Sequence, residues 1–427
     1  MSARAPRLLL VTGKGGVGKT TTAASIAVAE ATAGARVLIV STDPAHSLGD
    51  VLDVDLRSAT SWRASHRVDL LGRAEEADDA GREPTTESPG VLAALAVDRH
   101  TDVEANWALV RDHLLGLLEG LDVDPFLADE VLTLPGADEV PALLALALAA
   151  DSGQWDLIVV DCAPTAETLR LLALPEIIGW HLDRLLPSQR RLLTTLRPAA
   201  AAATGLPLPG PEVFAVVSTW RRLMGRCRDL LTGPRASVRI VLTPERVVIA
   251  EARRLRSAFA LHGYAVDEVI VNRVLPPGED SWRAAWNRSQ AEGLRLIAES
   301  FDGIPVTASP HLAGEPIGVP ALAALAGRRT VLGGTPRALT EDVRPPRVEV
   351  VAEGEDFVLH APIGLADAEE VRVQRRGDDL VVHAGPERRI LTLPSTLRRC
   401  TVGTASVGEG QLTVRFVRNE EVWPRGR

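Results

Sequence analysis

The chain has 427 residues, of which 46% are hydrophobic and 24% charged, so it is globular in composition and long enough for two domains. Its formal net charge of -9 argues against a nucleic-acid partner, because phosphate contacts require a basic surface. Three widely separated cysteines exclude a disulfide framework, and the longest apolar run, residues 142–150, is too short to cross a bilayer. Without a cleavable leader in the sequence, we expect a cytoplasmic protein.

Apolar strand candidates alternate with helical stretches between residue 7 and about residue 330. This alternation predicts an α/β fold with a doubly wound, mostly parallel sheet, and we assign residues 1–333 to it. The predicted strands cover residues 7–12, 36–41, 68–71, 156–161, 238–242, 268–273 and 304–307.

Two blocks between the strands, about 91–151 and 175–235, are longer than a simple crossover needs. Apolar residues recur in them at helical spacing, which predicts a helical insert attached to the sheet.

The sequence changes character after residue 333. Residues 334–346 contain three prolines, which favours a linker. Seven short alternating runs follow at close spacing, separated by turn residues, and they predict a small all-β sandwich over residues 347–418.

A glycine-rich loop follows the first strand and precedes a predicted helix over residues 21–33. It fits the phosphate-binding pattern G-x-x-x-x-G-K-[ST] at every position, which predicts a nucleoside triphosphate with Mg²⁺. The lysine of this pattern, here Lys19, contacts the β- and γ-phosphates. The hydroxyl of the next residue, here Thr20, completes the Mg²⁺ shell. The predicted nucleotide-binding residues of this loop are Gly13, Lys14, Gly15, Gly16, Val17, Gly18, Lys19, Thr20 and Thr21.

Both lysines of the chain, Lys14 and Lys19, lie in this loop, and every other one of the 47 Lys and Arg positions is arginine. An ammonium is a compact charge on a slim stem, whereas a guanidinium is a broad planar fork. A crowded turn around phosphates can accommodate the first and not the second, so both lysines are predicted to act at the nucleotide.

Polar residues end three predicted strands. Asp43 follows the second strand, and a carboxylate there can orient or deprotonate an attacking water. Asp161 ends the strand 156–161, where phosphate-loop enzymes usually place a carboxylate that anchors Mg²⁺. Asn272 lies near the end of the predicted strand 268–273, directly after Val271. Its side-chain amide either contacts a nucleotide base or forms hydrogen bonds with the backbone at the strand end.

The string GKGGVGKTT, Gly13 to Thr21, resembles the deviant phosphate loop of the ATPases grouped with MinD, the nitrogenase iron protein and ArsA. The resemblance implies ATP as the nucleotide. It also implies a homodimer in which Lys14 reaches the nucleotide of the partner, so that Lys14 and Lys19 both serve catalysis.

Two further segments are similar to the ArsA branch. DPAHSLGD, from Asp43, resembles its switch I, which implies that Asp43 activates water and belongs to the metal site with Thr20, while Ser47 helps to hold Mg²⁺ through water. DCAPTAETLRLLALPE, from Asp161, resembles its switch II. In the same branch Asn272 matches the adenine-recognising asparagine and Pro310 lies in the loop near adenine.

Cysteine content separates this chain from two groups in that branch. Tail-anchored-protein targeting factors often carry a paired-cysteine zinc clip after the adenine asparagine, but residues 275–288 contain no cysteine, so no bound zinc is expected. Arsenite-pump ATPases use a cysteine cluster, and three thiolates cannot be assembled from one cysteine in the helical region. The carboxy-terminal region resembles the small-heat-shock-protein-like domain of some bacterial members in the runs 379–382, 388–394 and 410–416, which implies interaction with other polypeptides.

Together, these residues and the resemblance imply a homodimeric Mg-ATPase whose closure acts on a helical client-binding subdomain, with a hydrophobic protein client or a membrane-protein partner. Two alternatives stay open. The first is the energising subunit of an arsenite-type efflux pump. The second is a MinD-like positioning ATPase, although the terminal residues 419–427 are too short for the basic amphipathic helix that such a role needs.

Overall fold

The computed structural model describes residues 5–43, 47–56, 65–68, 70, 90–96, 140–163, 168–169, 172–173, 211–278 and 280–419. Most of the predicted helical insert, residues 97–139 and 175–210, lies outside the described residues. In the part of the chain that is described, no helix combines the length and the apolar character needed to cross a membrane.

The amino-terminal region is built on a nine-stranded sheet with the order β3-β4-β2-β5-β1-β6-β7-β8-β9. All neighbouring strands are parallel except the two edge pairs, β3 with β4 and β8 with β9, so the predicted doubly wound, mostly parallel sheet is confirmed. The strands are β1 Arg7–Thr12, β2 Arg36–Ser41, β3 His66–Val68, β4 Val91–Ala96, β5 Leu157–Asp161, β6 Ala236–Leu242, β7 Val266–Val274, β8 Val306–Pro310 and β9 Thr330–Gly333.

Helices cover both faces of this sheet. In β1 every residue is buried, with Leu8 and Leu10 packing on one face and Leu9 and Val11 on the other, as the two-residue period of a strand requires. The first face carries α3 Val140–Asp151, α4 Pro211–Leu231, α5 Arg246–His262 and α6 Ser281–Ser300. The second face carries α1 Lys19–Thr32, α2 Ser47–Leu52 and α7 Gly318–Gly327.

One prediction about the helical insert was wrong. Residues 91–96, expected at its start, form strand β4 in the parallel sheet between β2 and β3. Their sequence, VLAALA, is a continuous apolar run of leucine and alanine. A strand buried on both faces does not alternate, so such a run cannot be distinguished from a helix by periodicity alone.

The carboxy-terminal region forms two small antiparallel sheets, one with the order β10-β11-β16-β15 and one with the order β12-β13-β14. Their apolar faces enclose a separate core that includes Leu359, Leu380 and Phe416. The strands are β10 Glu349–Glu353, β11 Asp356–Pro362, β12 Val371–Arg376, β13 Asp379–Ala384, β14 Glu387–Thr392, β15 Cys400–Gly408 and β16 Gln411–Arg418, with the short helix α8 Ser395–Arg398 before β15.

This small domain packs on helix α5. The Leu365 backbone N–H donates to Ser257 Oγ at 2.9 Å, and the Arg389 guanidinium donates to the carbonyl oxygen of Leu261. Leu261 itself belongs to the core of the small domain. The residues predicted as a linker are also packed, since Val343 is buried and its N–H donates to the carbonyl oxygen of Pro234 at 2.8 Å.

Candidate active site

The glycine-rich loop leaves the carboxyl end of β1, which lies between β5 and β6 near the middle of the sheet. Because parallel strands end at one edge, the loop and the residues that follow β2, β5 and β7 meet there. In open α/β sheets, ligands bind outside the carboxyl ends of the strands, at the point where the strand order reverses. The sheet therefore brings the predicted site residues together at its usual ligand-binding position.

Two glycines of the loop cannot be replaced without displacing a neighbour. A Cβ at Gly13 would lie 2.0 Å from the carbonyl oxygen of Val241, and one at Gly18 would lie 2.3 Å from Nδ2 of Asn272. Gly18 also has a φ of 91°, a conformation that favours glycine. The backbone of the loop therefore packs closely against β6 and β7 at these two positions.

The two lysines of the loop lie in different environments. Lys19 opens helix α1, is only 6% exposed, and its Nζ donates to the carbonyl oxygen of Lys14 at 3.4 Å. The Lys14 side chain is 37% exposed, and its Nζ lies 3.7 Å from Oε2 of Glu251 on α5. Lys19 thus points into the loop that would hold phosphates, whereas Lys14 rests on the outside of that loop.

Asp161 is fully buried at the end of β5. Ser41 donates to its Oδ2 at 3.3 Å, while Oδ1 accepts no hydrogen bond from the described residues. Burial raises the pKa of Asp161 to about 7; the Thr20 hydroxyl and the charge of Lys19 oppose this shift, and Asp43 adds to it. A buried carboxylate with an unused oxygen is suited to a positively charged ligand.

The residues around Asp161 fit a magnesium ion. Thr20 Oγ1 lies 3.2 Å from Ser47 Oγ, and Asp43, which is half-buried, has its backbone N–H 3.3 Å from Ser41 Oγ. Hydroxyl and carboxylate oxygens are the donors that Mg²⁺ prefers, and Mg²⁺ usually keeps water and substrate phosphate as its other ligands. Among the described residues no group of three or more His, Cys, Asp or Glu side chains could hold a metal.

Threonines that were not among the predicted site residues connect the segments that follow β2 and β5. Thr42 Oγ1 donates to the Asp161 carbonyl oxygen at 3.4 Å and accepts the Ala163 N–H at 3.1 Å. Thr168 Oγ1 donates to the Ala163 carbonyl oxygen at 2.7 Å and accepts from Thr12 Oγ1 at 3.2 Å. The available signal for Thr42 was its position beside Asp43, just after a buried strand, whereas no feature of the sequence marks Thr168.

Asn272 contacts the phosphate loop directly. It is buried, and its Nδ2 donates to the carbonyl oxygen of Val17 at 2.8 Å. Arg273, the next residue, has a φ of 56° and lies at an irregularity in the pairing of β7 with β8. Pro310 ends β8 opposite Val274 in the same stretch of pairing. The structure therefore gives Asn272 a bond to the loop and places Pro310 one strand away, at the same edge.

The three cysteines are buried at separate places. Cys162 and Cys227 have their pKa raised to about 12, mainly by burial, and Cys400 lies in the core of the small domain. Thiols in such surroundings are unreactive and are poor metal ligands, because the thiolate form is suppressed.

Comparisons with known proteins give matches along nearly the whole chain. The family described as Anion-transporting ATPase matches residues 6–329, and the family described as HSP20-like domain found in ArsA matches residues 354–416. Protein Rv2184c of Mycobacterium tuberculosis is 37% identical over 433 residues, covering 98% of this chain and 97% of the relative.

Two further relatives carry functional names. A Chlorobaculum tepidum protein, provisionally named an arsenical pump-driving ATPase, is 30% identical over 416 residues, covering 96% of each chain. ATPase GET3B of Arabidopsis thaliana is 30% identical over 319 residues, covering 73% of this chain and 75% of the relative.

Proposed function

Because this chain belongs to the ArsA family of anion-transporting ATPases, which hydrolyse ATP, we propose that two copies close around two Mg-ATP molecules and use the closure to control a helical client site. ATPases of this family typically dimerise, which supports the two-copy arrangement. The observation that carries the proposal is the difference between the two lysines of the loop.

Lys19 alone meets the needs of a phosphate loop within one subunit, since its buried Nζ is already directed into the loop. Lys14 rests instead against Glu251, outside the loop. A lysine retained at this position in a chain that otherwise uses arginine needs another partner, and a triphosphate in a second copy supplies one. Lys14 then adds positive charge to the transferred phosphoryl group only after closure.

The other residues have roles in hydrolysis that follow from their places. Mg²⁺, when bound, neutralises charge on the β- and γ-phosphate oxygens. Thr20, Asp43 and Asp161 would hold it, and Oδ1 of Asp161 accepts no hydrogen bond from the part of the chain that is described. Asp43 follows β2 at the same edge and orients the attacking water, while Asn272 keeps the loop in place and, as the resemblance implies, contacts adenine.

The client proposal rests on the helical region. Helices α3 and α4 pack together on one face of the sheet, and Leu148 of α3 is 47% exposed. An exposed leucine on a helix can contribute to helix-in-groove capture of a hydrophobic segment.

The main alternative is the energising subunit of an anion pump, favoured by the family description and by the name given to the Chlorobaculum tepidum relative. Burial of all three cysteines in separate places opposes an arsenite site made of thiolates within one subunit.

Lys14→Arg tests the role of the lysine. We expect the variant to fold and to bind Mg-ADP as the parent does, while its ATP turnover falls at least about tenfold, or 1.4 kcal/mol in barrier. Turnover within about twofold of the parent would reject the role of Lys14 in the partner's site.

Asp43→Asn tests the client role. The variant should bind Mg-ATP without hydrolysing it, so that the dimer stays closed. Crosslinking of this variant to a leucine-rich helical peptide with Mg-ATP, but not with Mg-ADP, supports client binding. Selective recovery of a membrane permease from cells would instead support the pump.

A further inference from the structure

Helix α6 carries two exposed tryptophans near its start. Trp282 is 61% exposed and Trp286 is 44% exposed, and their ring centroids are 5.8 Å apart with the planes at 51°. Residues four apart on a helix lie on the same face, so the two rings form one continuous apolar surface. Trp155, by contrast, is 7% exposed in the core. We call Trp282 and Trp286 the tryptophan pair.

The tryptophan pair stands beyond the carboxyl edge of the sheet. The buried residues of α6, Gly293, Ile297 and Ser300, all lie in its last eight positions. A Cβ at Gly293 would lie 2.1 Å from the carbonyl oxygen of Pro244, which follows β6 at that edge. The twelve residues of α6 before Gly293, about 18 Å of helix, therefore project past the sheet on the side where the phosphate loop lies.

The projecting part of α6 is hydrogen-bonded near both of its ends. Asp280 caps the helix by accepting the Arg283 N–H at 2.9 Å. The side-chain amide of Gln290 forms two hydrogen bonds with the backbone of Leu275. Its Oε1 accepts the Leu275 N–H at 2.8 Å, and its Nε2 donates to the Leu275 carbonyl oxygen at 3.2 Å. Leu275 directly follows β7, the strand that carries Asn272 and its bond to the phosphate loop. Hydrogen bonds thus connect the helix that carries the pair to the residue that follows the strand of Asn272.

We propose that the tryptophan pair is a contact surface for a second copy of this chain in the closed dimer. The inference rests on the proposed function, because Lys14 needs a second copy at this same edge, and the pair extends that face outward. Tryptophan is among the residues that contribute most to interface affinity, and a large exposed apolar pair marks an interaction site.

Charge also favours a second copy as the occupant. The whole chain has a net charge of -9, which makes two copies repel each other. Residues 280–292 contain two acidic and two basic side chains, Asp280, Glu292, Arg283 and Arg288, and so carry no net charge. Two identical surfaces can meet there without like-charge repulsion.

The test compares dimerisation of Asp43→Asn with that of Asp43→Asn/Trp282→Ala/Trp286→Ala by sedimentation velocity in Mg-ATP. The dissociation constant of the dimer should rise at least about tenfold, while binding of Mg-ADP by the monomer is unchanged. A matched control, Asp43→Asn/Val331→Ala/Leu332→Ala, removes two exposed apolar side chains of the edge strand β9 and should leave the dimer unaffected.

The outcomes separate this inference from the proposed function. A monomeric Asp43→Asn parent in Mg-ATP contradicts both proposals. If the tryptophan substitutions leave the dissociation constant of the dimer unchanged, only the tryptophan contact is overturned. The same holds if the tryptophan variant still dimerises but no longer binds a helical-peptide client.

A second measurement does not depend on the alanine variants. Because all three natural cysteines are buried, Trp286→Cys would introduce an accessible thiol into the described part of the chain. A short bismaleimide should link two copies of this variant in Mg-ATP and not in Mg-ADP, with Leu332→Cys as the unlinked control. Absence of nucleotide-dependent linkage would oppose the contact.

Discussion

Lys14 Nζ and Glu251 Oε2 lie 3.7 Å apart within one subunit. The pair joins the phosphate loop to helix α5, the helix on which the small carboxy-terminal domain packs. Since Lys14 is 37% exposed, the ion pair is solvent-screened and can be broken at low cost. Glu251 therefore pairs, within one subunit, with the lysine that we assign to the partner's nucleotide.

Glu251→Gln should release Lys14 and favour the closed dimer. An exposed ion pair contributes about 0–1 kcal/mol, so the dimer affinity in Mg-ATP should rise by no more than about fivefold. Sedimentation at several protein concentrations measures this change, with the exposed Glu349→Gln of strand β10 as control. Weaker dimerisation of Glu251→Gln would show that the glutamate supports closure instead of opposing it.

Asn272→Ala should weaken nucleotide binding in general, because the phosphate loop loses the 2.8 Å bond to the Val17 carbonyl oxygen. Loss of a buried hydrogen bond costs about 1–3 kcal/mol, which corresponds to at least about fivefold in affinity for both ATP and GTP. Calorimetric titration with both nucleotides measures the two effects. A loss confined to ATP would mean that the main contact of Asn272 is with adenine.

Asp267→Ala should strongly destabilise the fold. Arg7 Nη2 lies 3.1 Å from Asp267 Oδ2, and both side chains are 2% exposed, so the change leaves a buried guanidinium without its main partner. Removing one partner of a buried ion pair typically costs about 3–5 kcal/mol.

The matched control is Asp156→Ala, which breaks the ion pair between Arg36 and Asp156. The Arg36 side chain is 46% exposed and the Asp156 side chain is 50% exposed. That change should cost no more than about 1 kcal/mol. Denaturant unfolding measures both losses, and equal losses would contradict the assignment of the Arg7 pair to the buried core.

Asp161 should make the stability of the metal-free and nucleotide-free protein depend on pH. Its folded pKa is raised from 3.8 to about 7, so its contribution to stability is fully present below pH 3.8 and is lost as the pH rises through about 7. Thermal unfolding in chelator should therefore show the parent losing stability over this window relative to Asp161→Asn, whose amide does not titrate. A constant difference between the two proteins across the window would contradict the raised pKa.

Much of the sheet could be predicted because buried parallel strands leave continuous apolar runs. Residues 7–12 and 36–41 were placed without error, since each run is bounded by turn or charged residues. The strands β4 and β9 were missed for different reasons. Residues 91–96 are rich in leucine and alanine, which also suit a helix, and β9 is an exposed edge strand of four residues without a buried pattern.

The meeting of the predicted site residues at one edge of the sheet was predictable, because the motifs that contain them are local in sequence. The glycine-rich loop and the strand-end carboxylates of Asp43 and Asp161 come together as the parallel topology requires. The partners of Lys14 and Asn272 were not predictable, because Glu251 and the Val17 carbonyl oxygen lie 237 and 255 residues away and carry no motif of their own. Only packing of β7 and α5 against the loop identifies them.

Mixing two inactive variants tests the central claim most directly. Lys14→Ala keeps an intact Asp43 but cannot assist a partner, whereas Asp43→Asn keeps Lys14 but cannot hydrolyse its own ATP. If Lys14 acts in the partner's site, each mixed dimer contains one complete site, and an equal mixture should recover about one quarter of the parent ATPase rate. A mixture no more active than the separate variants would show that Lys14 does not serve the partner's nucleotide.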